Sequence, residues 1–312
     1  MESTERLSDL LSTALGPEIT ALLKDDTISE IRLNADGSLW VNRLGEGKFK
    51  SNALISPMNA QRAIYAVAFG VNEICNENNP SIAAELPKSG ERFQGIIPPL
   101  SKTPVFAIRK KAIRVFTLDN LLGQGIITKD ICYYLKDAVL KRLNILVVGG
   151  TDSGKTTFAN ALLQAIEGSN HRIVILEDTQ ELQCNASDVE YLRTKDKVAN
   201  LRDLVRMTMR LSPDRIVIGE VRGAEALDLL KAWNTGHGGG VSTVHASSAR
   251  QGLSRIEQLV SEAGVTPSRE MISEAVNVLI YMEKAGTKRI VKEVLTVEGI
   301  VKGDYLLKDV SK

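Results

Sequence analysis

The chain has 312 residues, of which 25% are charged, 43% apolar and 4% aromatic, with a formal net charge of +1. That is long enough for two domains with separate cores, and the near-zero charge excludes a global field that selects nucleic acid or anionic lipid. The three cysteines, Cys75, Cys132 and Cys184, form no C-x-x-C pair, which excludes a zinc ribbon and a disulfide framework and suits a reducing compartment. The opening Met1-Glu2-Ser3-Thr4-Glu5 is unlike a signal peptide, and no apolar run approaches the ~20 residues of a membrane-spanning helix. A cytoplasmic chain is expected, able to dock on a membrane complex.

Residues 6–24 carry a helical leucine and isoleucine stripe interrupted at Gly16-Pro17, which predicts two short helices. Residues 29–34 and 39–42 read as a β-hairpin turning at Asp36-Gly37. A helix is expected over 56–75, then strands at 90–97, ended by Pro98-Pro99, and at 105–111 with a basic end. Together they make a small α+β domain over residues 1–112. Residues 113–128, with Asn120, Gly123 and Gly125, read as an interdomain linker. A helix from Lys129 to Arg142 opens the second domain, 129–312. There the pattern alternates: strands at 143–148, 172–177, 215–220 and 240–245, and helices after Gly154 and over 200–211, 223–235, 248–263 and 268–277. Short antiparallel strands are expected over 278–309. Such alternation means an α/β fold, a parallel sheet covered by helices.

Gly149-Gly150-Thr151-Asp152-Ser153-Gly154-Lys155-Thr156 fits the phosphate-binding pattern G-x-x-x-x-G-K-[ST] at every fixed position. The apolar run Leu143–Val148 precedes it. Phe158, Ala161, Leu162, Ala165 and Ile166 form one helical stripe after it, and Gly168 is placed to end that helix. Strand, glycine loop and helix aim backbone N–H groups at phosphate. A bound nucleoside triphosphate, ATP with Mg²⁺, is therefore expected on Gly149 to Lys155, with Thr156 and Thr157 in the first helical turn. Lys155 would neutralise the β- and γ-phosphates, and the Thr156 hydroxyl would hold Mg²⁺.

Ligands of open parallel sheets gather beyond the carboxyl ends of the strands. Three further ends carry polar groups: Glu177-Asp178-Thr179-Gln180-Glu181, Gly219-Glu220-Val221-Arg222 and Ser242-Thr243-Val244-His245. An NTPase needs an acid near Mg²⁺ and a group that orients or deprotonates water. Glu220 is placed for both, acting on water or through the metal's water shell, because Gly219 stands where an aspartate is usual. Glu177 reads either as a second acid or as a cap for the next element. His245 is a candidate γ-phosphate sensor. Gly236-His237-Gly238-Gly239-Gly240 reads as a mobile loop beside the site. Arg202, Arg206 and Arg210 share one helix face, either as a solvated basic face or as fingers meeting a neighbouring subunit's nucleotide.

These four boxes together resemble the secretion ATPase superfamily. Gly90-Glu91-Arg92-Phe93 through Pro98-Pro99 and Phe106-Ala107-Ile108-Arg109-Lys110 narrow the likeness to the traffic ATPases of type IV secretion, over nearly the whole chain. The resemblance implies a RecA-like C-terminal ATPase domain and a homohexameric ring at the inner membrane, where ATP hydrolysis powers pilus assembly or export. It also implies that Arg109 approaches the nucleotide from the N-terminal domain, opposite Lys155, Thr156, Glu177, Glu220 and His245, with Arg222 completing the G-E-x-R box. The alternatives are a pilus-retraction or type II secretion ATPase, a ring DNA translocase, or a non-hydrolysing scaffold. A translocase would want a basic channel and stacking aromatics; nucleic-acid contact thus has no support in the composition.

Overall fold

The computed structural model describes residues 2–86, 89–110, 115–195, 197–286 and 288–310, with side chains from Leu11 onward. The chain divides into two compact units, Met1–Ile113 and Arg114–Lys312. The expected boundary at 112–113 and the basic end at Lys111 lie outside the described residues.

In the first unit α1 (Glu2–Lys24) precedes β1 (Ile28–Leu33), β2 (Ser38–Arg43) and β3 (Gly47–Leu54). Then come α2 (Pro57–Gly70), β4 (Ser81–Glu85), β5 (Arg92–Ile96) and β6 (Val105–Arg109). The strands form one antiparallel sheet in the order β3-β2-β1-β6-β5-β4. The two expected N-terminal helices are both present within α1, separated at Gly16, whose φ of 81° leaves helical geometry. The hairpin turns where expected: Ser38 donates from its N–H and its hydroxyl to Asp36 Oδ1, at 2.9 and 2.6 Å. The edge strands β3 and β4 were not legible. Lys48, Lys50 and Asn52 alternate with Phe49, Ser51 and Ala53 along β3, an edge with little apolar content.

The second unit runs α3 (Leu118–Gly123), α4 (Lys129–Leu140), β7 (Ile145–Gly149), α5 (Lys155–Gln164), β8 (Arg172–Glu177) and β9 (Asp188–Arg193). It continues with α6 (Leu201–Thr208), β10 (Arg215–Ile218), α7 (Glu225–Asn234), β11 (Val241–Val244), α8 (Ala249–Ser261) and α9 (Arg269–Ala275). The strands β12 (Val278–Ala285), β13 (Lys288–Val301) and β14 (Asp304–Asp309) complete it. The sheet order is β14-β13-β12-β7-β11-β10-β8-β9. From β12 to β9 neighbours are parallel; β13 and β14 add antiparallel strands at one edge.

Period-two alternation splits the buried strands between two helical layers. Leu146, Val148, Val174, Leu176, Ile216 and Ile218 pack with α6 to α9. Ile145, Val147, Ile173, Ile175 and Val217 pack with α3 to α5, where Phe158, Ala161 and Leu162 are buried. Such a sheet, covered on both faces, leaves its strand ends as the place where polar groups gather.

Two expectations are corrected here. The stretch read as a linker, 113–128, holds α3 within its described part: Thr117 and Asn120 form a capping box, and Leu118, Leu121 and Ile127 enter the second unit's core. A helix this short has too few turns for periodicity to show, and its flanking glycines masked it. The glycine loop before β11 lies at the opposite end of the parallel sheet from the phosphate loop, because β11 and β7 run the same way. It is also firmly held. Asn144 Oδ1 accepts from the N–H groups of Gly239 and Gly240 at 2.7 and 3.1 Å, and Arg215 donates to Gly239 O at 3.0 Å. A Cβ on Gly240 would overlap Ile216 O and the Trp233 indole. Gly240→Ala is therefore expected to destabilise the second unit by at least ~1–3 kcal/mol in denaturant unfolding; wild-type stability would contradict this packing.

Candidate nucleotide site

The segment after β7 is shaped to face an anion. Asp152 and Gly154 adopt left-handed backbone, with φ of 59° and 95°. Gly154 is the N-cap of α5 and offers no capping side chain. No capping side chain covers the first N–H groups of that helix, on Lys155, Thr156 and Thr157, the arrangement by which a helix start receives an anion. Lys155 is buried, and its ammonium donates to the carbonyls of Gly149 and Gly150 at 3.0 and 2.9 Å. Ser153 Oγ is buried without a hydrogen-bond partner among the described residues. A buried cation, uncapped N–H groups and an orphaned hydroxyl in one loop fit a polyphosphate.

Strand order supplies the rest. Because β11 lies between β7 and β10, His245, just beyond β11, stands between Lys155 and Glu220. Lys155 Nζ is 3.5 and 3.3 Å from the two His245 ring nitrogens. His245 Nε2 is 2.8 Å from Glu220 Oε1. Glu220 Oε2 accepts from Arg222 Nε at 2.7 Å and from Arg222 Nη2, and Arg222 Nη1 lies 3.6 Å from Asp178 Oδ2. Partial burial and the Lys155 ammonium push the His245 pKa below its ordinary value, with Arg222 adding to this and Glu220 opposing it. Burial works against the Arg222 guanidinium, but the hydrogen bond and charge of Glu220 outweigh it and raise its pKa.

Glu177 ends β8 and is buried. Its Oε1 accepts from the N–H groups of Glu181 and Leu182, both at 3.0 Å, so it braces the loop that follows. A Cβ on Gly219 would come within 2.9 Å of Glu177 Cγ. That explains the glycine where an aspartate is usual: the space belongs to Glu177. The acid beside the Thr156 hydroxyl is Glu181, whose Oε2 accepts from it at 3.4 Å. Sequence reasoning had included Glu181 in its box without singling it out. It also missed Glu225, whose buried carboxylate accepts from the N–H groups of Arg222 and Gly223 at 2.7 and 2.8 Å and so shapes the Glu220 loop. An acid in the first turn of α7 was the available signal.

Among the described residues no group of three or more His, Cys, Asp or Glu could hold a metal. Thr156 and Glu181 offer hard oxygen donors, which fits Mg²⁺, an ion usually held by few protein oxygens together with phosphates and water. The remaining expected residues belong to other elements. Arg109 closes β6 in the first unit and is exposed. Arg202 and Arg206 both pair with Asp228 of α7, at 2.6 and 3.1 Å, and Arg210 falls beyond the end of α6. One carboxylate, Asp228, is thus shared by two arginines of the row. His237 belongs to the loop at the far end of the sheet.

Loop, strand order and carboxylates define a P-loop nucleotide-binding protein. The model of the type II/IV secretion system protein family matches residues 16–292, and the chain belongs to that family. The conjugal transfer protein TrbB of Rhizobium radiobacter is 42% identical, over 98% of this chain and 94% of the relative. The type IV secretion system protein PtlH of Bordetella pertussis is 32% identical, over 89% of this chain and 93% of its own. The ATPase DotB of Legionella pneumophila shares the fold, at a TM-score of 0.65 and 17% identity, covering 89% of this chain and 80% of that one. So does the pilus retraction motor PilT with bound ADP, at 0.62 and 19%, covering 94% and 81%. The second unit is RecA-like, and the chain is an ATPase of the type IV secretion kind. Among the described residues no helix is long and apolar enough to cross a membrane.

The charge row has a pH signature. With its pKa lowered, His245 is neutral at pH 7, and stability linked to it is lost as pH falls below its ordinary ~6.5. An NMR titration should place its midpoint below that value, lower still in Glu220→Gln and higher in Lys155→Ala. The opposite order would contradict the arrangement.

Proposed function

We propose that this chain is the motor ATPase of a conjugation or type IV secretion apparatus, working as a homohexamer on the cytoplasmic side of the inner membrane. The observation that carries the reading is the row Lys155, His245, Glu220 at the ends of adjacent strands. The loop from Gly149 to Gly154, with the N–H groups of Lys155, Thr156 and Thr157, cradles the phosphates, and Lys155 offsets their charge. Mg²⁺, when bound, neutralises charge that develops on the phosphate oxygens. Thr156 would hold it, with Glu181 and Glu220 reaching its water shell.

Glu220 orients and deprotonates the attacking water, and Arg222 and His245 fix its carboxylate. The single N–H of neutral His245 is the one Glu220 accepts here, and it passes to a terminal phosphate oxygen when one arrives, so the ring senses the γ-phosphate while Arg222 keeps hold of Glu220. Glu177 braces the loop that carries Glu181. Arg109, exposed at the end of β6 in an N-terminal domain ending near residue 112, is a further residue we assign to the nucleotide. The conjugal transfer and type IV secretion relatives support this assignment over a translocase or a scaffold.

The test is phosphate release by Glu220→Gln. Turnover should fall by ~10²–10⁴ while ATP affinity is kept; turnover equal to wild type would remove Glu220 from the chemistry. In the same samples, native mass with ATP and Mg²⁺ should correspond to six chains, and a monomer there would overturn the ring.

A further inference from the structure

The hairpin of β12 and β13 lies against the phosphate loop. Three contacts join them. Met282 of β12 pairs with Gly149, and a Cβ on Gly149 would stand 2.6 Å from Met282 O. A Cβ on Gly154 would meet Arg289 Cδ at 3.1 Å and Met282 Cε at 3.4 Å. Arg289 Nε, from β13, donates to Asp152 O at 3.3 Å. Farther along β13, Glu293 Oε2 accepts from Ala249 N at 3.0 Å, in the segment that follows His245. One strand therefore touches both the phosphate loop and the chain leaving the histidine.

We infer that Arg289 is a positioning residue for nucleotide binding, acting through the peptide between Asp152 and Ser153. A trans peptide is planar, with its C=O and N–H pointing in opposite directions. Holding the Asp152 carbonyl toward the hairpin therefore turns the Ser153 N–H the other way, across the loop, where it donates to Gly150 O at 3.4 Å. Asp152 is a non-glycine residue in left-handed backbone, a conformation that costs ~1–2 kcal/mol, so it needs an outside contact to hold it. The Arg289 stem, lying over Gly154, restrains the residue that caps α5. Arg289 thus presets the turn of the loop and the helix start before nucleotide arrives, which lowers the ordering cost of binding.

The inference rests on the phosphate-loop assignment, and substitution chemistry separates it from a simple attraction between charges. Glutamine carries the same Cβ, Cγ and Cδ and an N–H donor at the place of Arg Nε, without the charge. Lysine keeps the charge but has carbon at that place. We expect Arg289→Ala to raise the ADP dissociation constant by calorimetry, and the KM for ATP, about tenfold, the worth of one net hydrogen bond of ~1.4 kcal/mol. The kcat should stay within about twofold, and unfolding without nucleotide should be unchanged because the side chain is exposed. Arg289→Gln should recover most of the affinity and Arg289→Lys less. An alanine variant with wild-type affinity, or a glutamine variant as weak as alanine, would overturn the inference. Failure of the phosphate-loop assignment would look different, since wild type itself would then show no ADP binding.

Discussion

The Lys155 ammonium is a charge held where water scarcely reaches, and much of the second unit is arranged around that fact. A buried cation is costly unless carbonyls or anions surround it. Here the carbonyls of Gly149 and Gly150 meet it from one side, and the His245 ring, with Glu220 behind it, faces it from the other. The parallel sheet makes this possible: strands that run the same way release their polar ends on one side, and helices on both faces keep the rest dry. A polyphosphate brings to that place the negative charge that the loop's cation and N–H groups are disposed to receive.

The glycines around the site record close approaches. Gly149 is pressed by Met282 O, Gly154 by Arg289 and Met282, and Gly219 by Glu177. Only at Gly154 does a left-handed φ add a conformational reason. The G-E-x-R box can thus be understood sterically. The acid that might have stood at 219 is displaced by one arriving from the neighbouring strand, so carboxylate is supplied from β8 and the loop after it. The arginine of that box holds Glu220 in the orientation that faces His245.

Much of this was legible in the sequence, and the remainder failed for identifiable reasons. The phosphate loop and the strands ending at Glu177 and before Gly219 were readable because apolar runs met polar groups abruptly. The order β7-β11-β10-β8 was not, since no local pattern says which strand lies beside which; the His245–Glu220 contact was therefore invisible. Glu181 and Glu225 act through backbone N–H groups or a hydroxyl and leave no spacing signature. The spacing on α6 could not show that Arg202 and Arg206 pair with Asp228, because that partner lies on the next helix. The glycine run at 236–240 looked flexible, whereas Asn144 and Arg215 hold it.

The central claim is that the loop N–H groups and the buried ammonium form a site for the phosphates of ATP. Amide hydrogen exchange over residues 149–157, with and without ATP and Mg²⁺, tests it most directly. Strong slowing confined to that loop, the first turn of α5 and the segments at Glu220 and His245 is expected. Exchange that is unchanged there, under conditions in which the protein is saturated with nucleotide, would contradict the account.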